Sequence, residues 1–229
     1  MNILFDQPYY LEINEARWES AEKIISSLPK IKTCIDAGCG PGWFAERLAE
    51  RELVVFGIDG RAELTEEARR RVPKAIFSTI DITSLQAAAF LPKADLVFCF
   101  GLLYHLENPF AAIRALYQAS NRFLLIETQI APEEGAGFQL VSEGQNETQG
   151  LTYHALIPSR KALVKMLYVA GFSHVMRYTG KVNHIDFNDS LSRRHRREIF
   201  LASRESGAFP DFVHEDQPVT PKIDYTIKP

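Results

Sequence analysis

Cysteine is scarce in this chain: Cys34, Cys39 and Cys99 are the only ones among 229 residues. Their number is odd, their spacing wide, and there is neither a Cys-x-x-Cys pair nor a nearby histidine cluster, which argues against a disulfide framework and a zinc site. Cys34 and Cys99 stand in apolar, strand-like runs and are expected to be packed inside. The chain also lacks an excess of one charge. A formal net charge of -3 gives no global electrostatic reason to expect a nucleic-acid partner. Long apolar runs are missing too: none approaches a membrane span, and the opening MNILFDQPYYLEINEARW has no basic region followed by an apolar core. Repeats and low-complexity tracts are absent. The expectation is a soluble cytoplasmic protein with no membrane partner.

What is present is an ordinary globular composition, 46% hydrophobic and 24% charged, enough for one well-buried domain with an additional segment or two. From Glu12 to Leu28, apolar residues at Trp18, Ala21, Ile24, Ile25 and Leu28 recur at helical spacing, so residues 1–30 read as an N-terminal helical segment. Strand-like runs follow at Ile31–Asp36, Leu53–Asp59, Ala75–Ile80, Ala94–Phe100 and Arg122–Glu127, each separated from the next by a segment able to be helical. That alternation predicts an α/β three-layer sandwich with a mostly parallel sheet. Asn108 and Pro109 mark the start of one helix, with Phe110, Ile113 and Tyr117 on one side of it. Ser159 caps another, with Gly171 as its stop. Two late strands, Phe172–Tyr178 and Arg197–Ala202, complete a domain over 31–204. The stretch 128–158 is too long and polar for a plain connection and reads as a lid or substrate-selecting insertion carrying Glu143, Asn146, Glu147, Gln149, Tyr153 and His154. Residues 205–229 read as an irregular tail.

The stretch Ile35-Asp36-Ala37-Gly38-Cys39-Gly40-Pro41-Gly42-Trp43-Phe44 runs from a strand end into a helix. Alternating glycines let the backbone turn tightly and lie against a ligand, and the helix presents its positive end there. The spacing is not the dinucleotide fingerprint, which disfavours a nicotinamide dehydrogenase. Asp59 closes the second strand, where a carboxylate can accept from two ribose hydroxyls; a plain turn Asp before Gly60 is the alternative. Asp81-Ile82 follows the third strand. The fourth, Asp95 to Phe100, breaks at Gly101 and delivers Tyr104 and His105 to the mouth of the same crevice.

These features in this order resemble a class I S-adenosylmethionine-dependent methyltransferase. Gly101-Leu102-Leu103-Tyr104-His105-Leu106, Asn108-Pro109 and Leu124-Leu125-Ile126-Glu127-Thr128 are most similar to the subgroup containing the transfer-RNA wobble-uridine carboxymethyl-transfer enzymes and related small-molecule methyltransferases. The resemblance is good over Thr33–Glu127 and weaker on either side. It implies a Rossmann-like sheet of seven strands with the last antiparallel, and S-adenosylmethionine as cofactor. It also implies a cofactor site drawn from Asp36, Gly38, Gly40, Gly42, Asp59, Gly60, Asp81, Ile82 and Phe100, with Asp81 and Ile82 at the adenine. Asp81 can equally cap the turn at Thr83. Arg17 is the one upstream cation nominated for the methionine carboxylate, the alternative being a solvated helix residue.

His105 is the candidate general base, because imidazole titrates in the right range; its alternative is a histidine that only packs the next turn. The resemblance implies that Tyr104 lies beside the methionine end of the cofactor or the acceptor. Glu127, at the end of the fifth strand, can orient an acceptor amine or His105, or pair with a basic neighbour. The expected reaction is methyl transfer to an oxygen or nitrogen of a small polar metabolite. Methylation of an RNA base is the alternative, supported only by the basic run Arg193-Arg194-His195-Arg196-Arg197, itself readable as a solvated turn. A cofactor-binding partner subunit without chemistry is a further alternative, and a homodimer is left open.

Overall fold

The N-terminal stripe forms α1 (Pro8–Ser27), and Trp18, Ala21, Ile24, Ile25 and Leu28 are all buried. The helix begins earlier than the stripe implies because Pro8 occupies its first turn, where a missing N–H costs nothing. The computed structural model describes residues 3–84, 86–188 and 196–222. Along the chain follow β1 (Thr33–Ala37), α2 (Trp43–Glu50), β2 (Val54–Asp59), α3 (Ala62–Arg71), β3 (Ile76–Thr79), a short α4 (Ala87–Phe90), β4 (Ala94–Phe100), α5 (Pro109–Ala119) and β5 (Ser120–Ile130). The insertion then folds as an antiparallel hairpin of β6 (Phe138–Ser142) and β7 (His154–Pro158). The chain ends with α6 (Arg160–Ala170), β8 (His174–Tyr178), β9 (Arg196–Ser203) and β10 (Phe212–His214).

The main sheet has eight strands in the order β10-β8-β9-β5-β4-β1-β2-β3. β1 to β5 pair in parallel, and β9 inserts antiparallel between β5 and β8. The late antiparallel strand is as the resemblance implies, but the count of seven needs correction. Phe212, Val213 and His214, assigned above to an irregular tail, pair with Tyr178, Arg177 and Met176 and add an eighth strand at the edge. Three residues are too few for a period to show.

Beyond Asp95 at its start, β4 is apolar and buried because both of its faces are covered, as a central parallel strand requires. One layer of core lies under α5 and α6, around Val97, Ile113, Leu116, Leu124 and Leu163; the other lies under α1, α2 and α3, around Ile24, Leu48, Phe98, Phe123 and Leu201. Each such side chain contributes roughly 1.5–3 kcal/mol of transfer free energy, so the two layers dominate the stability. Capping proceeds as the sequence predicts: the Asn108 side chain accepts from the Ala111 amide at 3.1 Å, and the Ser159 hydroxyl accepts from Ala162 at 3.2 Å. The buried face of α5 takes in more residues than the three named from the sequence. Ala112, Ile113, Ala115, Leu116 and Ala119 are buried, while Phe110 is exposed on the outside near Phe138 of the hairpin. Small residues let α5 lie close to the sheet. Among the described residues no helix is long and apolar enough to cross a membrane.

Candidate active site

From β1 the chain proceeds outward through β2 and β3, whereas β4 and β5 lie on the other side of β1. Such a reversal opens a crevice at the carboxyl ends of the two diverging strands. Here it is a cavity of about 1100 Å³, open mouth included, lined by Gly38, Gly40, Asp59, Gly60, Asp81, Ile82, Phe100, Tyr104, His105 and Arg17 among others.

The turn after β1 is strapped to the end of β2. The amides of Gly38 and Cys39 donate to the Ile58 carbonyl at 2.8 and 2.9 Å, and the Gly40 amide donates to Asp59 Oδ2 at 3.0 Å. Gly38 and Gly40 have φ of 77° and 51°, a region side chains avoid. At Gly38 a Cβ would also come within 2.9 Å of Leu102. Gly42 shares the turn but not the cavity: it sits at the start of α2, packed against Val72 and Ala68. Nor does Asp36 reach the wall. It is 1% exposed, with the Ala45 amide bonded to it, and burial together with the nearby Asp59 charge pushes its carboxyl up to about 7.

Asp59 Oδ1 accepts from the Arg61 amide at 2.9 Å, so each oxygen holds one backbone N–H and keeps a lone pair for another donor. Burial raises its pKa, opposed by those two amides. Gly60 leaves room for Leu151, which packs where a Cβ would be. Asp81 faces the cavity while Oδ1 accepts from the amide and hydroxyl of Thr83, so the capping role is real. Ile82 is buried beside it, and Phe100 stacks on Phe98 with centroids 4.2 Å apart.

Arg17, from α1, is 5% exposed and is no solvated helix residue. Its Nη1 donates to Asn14 Oδ1 at 2.9 Å and its Nη2 lies 3.1 Å from Glu127 Oε2, yet Nε and Nη2 have no aligned hydrogen-bond acceptor. The guanidinium also lies against Gly101, 3.3 Å from where a Cβ would stand. Glu127 is fully buried and is not on the cavity wall: it pairs with Arg17 on one side and with Arg197 at 3.0 Å on the other. Of its three readings, pairing with a basic neighbour is the one this geometry displays. Arg197 Nη2 donates to the Tyr104 hydroxyl at 2.9 Å, and its Nε lies 3.5 Å from Asp186. Arg197 is therefore an interior residue, whereas Arg193, Arg194 and His195 of the basic run lie outside the described residues.

The hairpin tip covers the cavity from one side and the N-terminal turn covers it from the other. Glu147 accepts from the Leu4 amide at 2.9 Å, the hydroxyls of Thr148 and Tyr10 meet at 3.0 Å, and Phe5 lies over Gly40. Arg61 reaches the carbonyls of Asn146, Gln149 and Gly150. Tyr153 adopts φ 57° beside the Arg61 guanidinium, and His154 is exposed at the start of β7. His105 lines the cavity, with Nδ1 hydrogen-bonded to Glu143 Oε1. Sequence reasoning named Glu143 only as part of the insertion and missed Arg61, Tyr10 and Asp186. Their partners lie far along the chain, where no local period registers them.

The residues fit S-adenosylmethionine. Arg17 offers unaligned buried N–H groups for a carboxylate, the positive-φ glycines leave a cradle for the chain, and Asp59 has spare acceptor capacity for a ribose. No group of three or more potential metal ligands occurs among the described residues. Fold and site together define an open α/β protein with a cavity at its switch point whose lining suits a nucleoside-containing ligand. A family model described as a methyltransferase domain matches residues 12–176, and the chain belongs to that family, enzymes whose methyl donor is S-adenosylmethionine.

Among curated proteins, the trans-aconitate 2-methyltransferase of Methylobacterium nodulans is 32% identical over 108 residues, which cover 45% of this chain and 41% of that one. The tRNA U34 carboxymethyltransferase of Desulfotalea psychrophila is 27% identical over 168 residues, 71% of this chain and 51% of that one. The chain thus spans about half the length of these relatives, or less. Among solved structures, the N-terminal domain of EvdMO1 with SAH bound gives a TM-score of 0.70 at 18% identity, covering 86% of this chain and 84% of that one.

Proposed function

We propose that this protein is an S-adenosylmethionine-dependent methyltransferase acting on an oxygen or nitrogen of a small polar metabolite. The observation that carries the reading is the covered cavity at the switch point, with Asp59, Arg17 and the glycine turn on one stretch of wall and His105 and Tyr104 on another. Arg17 would hold the donor's carboxylate, Asp59 its ribose, and Ile82 with Leu151 the faces of its base. The sulfonium supplies a methyl carbon activated for displacement, so the protein's task is to align the acceptor and exclude water. The hairpin tip and the Leu4–Asp6 turn do the excluding, which favours an acceptor small enough to be enclosed. One relative is named for trans-aconitate, a small acid, in keeping with that size. The test is titration calorimetry with S-adenosylhomocysteine, followed by transfer of a labelled methyl group into a low-molecular-weight metabolite extract and, separately, into bulk transfer RNA. Label entering RNA alone would refute the small-metabolite reading; binding without any transfer would favour a partner subunit.

A further inference from the structure

The His105 ring is held by the hairpin rather than by its own strand end. Nδ1 meets Glu143 Oε1, while Glu143 Oε2 accepts from the Gly150 amide at 2.8 Å. Gly150 itself packs so tightly that a Cβ would stand 2.1 Å from the His105 carbonyl oxygen, and the Leu156 amide donates to the Leu106 carbonyl at 3.0 Å. The Glu143 side chain is 8% exposed. Burial works to raise its pKa, but the hydrogen bonds it accepts from His105 and the Gly150 amide hold it below the usual range. An ionised carboxylate only accepts, so a neutral His105 must carry its proton on Nδ1 and leave the lone pair on Nε2. Among the described residues, the hydrogen bond of the ring is made through Nδ1.

That arrangement discriminates between acceptors. A carboxylic acid is ionised at neutral pH and needs no base, whereas an alcohol or phenol keeps its proton until transfer begins. We infer that Glu143 is the positioning residue that sets the tautomer of His105, and that Nε2 receives the proton of a neutral hydroxyl acceptor. The inference rests on the methyltransferase reading and narrows its acceptor from any oxygen or nitrogen to a hydroxyl, since a neutral amine attacks with its own lone pair and needs no base to do so. An electron pair of the hydroxyl oxygen forms the new O–CH3 bond as the methyl–sulfur bond breaks, with that bond's electrons passing to sulfur to leave a thioether. The hydroxyl proton goes to Nε2, and the resulting imidazolium faces the Glu143 carboxylate.

The test uses the full chain saturated with S-adenosylhomocysteine. At mildly alkaline pH, imidazole nitrogen NMR is expected to show a protonated Nδ1 and a bare Nε2 at His105 in the wild type. Glu143→Ala is expected to shift the ring to the solution mixture, in which the Nε2–H form predominates. A wild-type ring protonated on Nε2 overturns the inference even if the variant misfolds, and normal calorimetric affinity for S-adenosylhomocysteine then leaves the broader reading standing. Labelled methyl transfer into the metabolite extract supplies the second readout. Label that survives mild alkali but is released by hydriodic acid is an ether and supports the inference. Label lost as methanol in alkali is an ester, label resisting both is an N-methyl group, and either overturns it. No labelled product at all counts against the methyltransferase reading and the inference together.

Discussion

Replacing Asp36 by asparagine removes an ionisation that the fold opposes. Asp36 lies under the glycine turn at 1% exposure, its Oδ2 has no hydrogen-bond partner, and burial, reinforced by the Asp59 charge, moves its carboxyl from 3.8 to about 7. Asparagine has the shape of the protonated acid and can still accept from the Ala45 amide, so the change isolates the charge. The sign follows from linkage. A carboxyl whose pKa is raised on folding binds its proton more tightly in the native state, so its full contribution is present only at low pH and is lost as pH rises through the interval between the two pKa values. For Asp36 the loss begins near 3.8 and is complete above about 7. At about 1.4 kcal/mol per unit, the ionised native state carries a penalty approaching ~4 kcal/mol, of which roughly 2.5 kcal/mol develops between about pH 5 and about pH 8.

The assay is urea unfolding of wild type and Asp36→Asn, without cofactor, at several values across that range. Taking the difference between the two proteins cancels every other titrating group except those coupled to Asp36. The stability advantage of the variant should grow by roughly 2.5 kcal/mol between about pH 5 and about pH 8, levelling off above about 7, a change equivalent to roughly 5–10 °C in Tm. A difference that stays constant, or one that shrinks as pH rises, would refute the placement of an ionising carboxylate at this position.

Three other perturbations have definite expected outcomes. Gly40→Val puts a branched side chain at φ 51° on the cavity wall, and calorimetry should find no measurable S-adenosylhomocysteine binding; normal affinity would mean the donor lies elsewhere. Gly150→Ala drives a Cβ into the His105 carbonyl, so the hairpin tip must lift. Affinity should fall by about tenfold or more while the urea midpoint changes little, and retained affinity would show that the tip does not cover the ligand. Glu127→Gln leaves Arg17 and Arg197 buried without their shared anion, which should cost about 3–5 kcal/mol in urea unfolding. A loss below about 1 kcal/mol would show that water reaches the pair.

Strand positions were readable wherever a strand is apolar on both faces and is followed by a glycine or an acid. β1, β2 and β4 satisfy this, and they are also the strands whose ends build the cavity. The edges were harder to read. β10 is three residues long with two of them exposed, so it carries no periodic signal and is specified by pairing with β8. In the β6–β7 hairpin β6 buries no residue, and its two short strands sit within a polar, glycine-containing insertion that masks them. In each case pairing partners distant in sequence settle the local conformation.

The same distinction explains which site residues could be found. Gly38, Gly40 and Asp59 announce themselves locally because each closes a strand or a turn, and any ligand at the switch point must pass them. The charges behind them cannot be read this way. Asp186, Arg197, Glu127 and Arg17 come from a turn, β9, β5 and α1, and they alternate in sign from the interior to the cavity. Each looks like a surface charge in the sequence, and each is stable in the interior only because its neighbours supply the opposite sign. Arg17 stands at the end of this series, with one flank committed to Glu127 and Asn14 and N–H groups still lacking aligned acceptors. An anion arriving in the cavity would complete an alternation already built into the core, which makes the sign of the ligand group at this end a property of the folded chain and not of Arg17 alone.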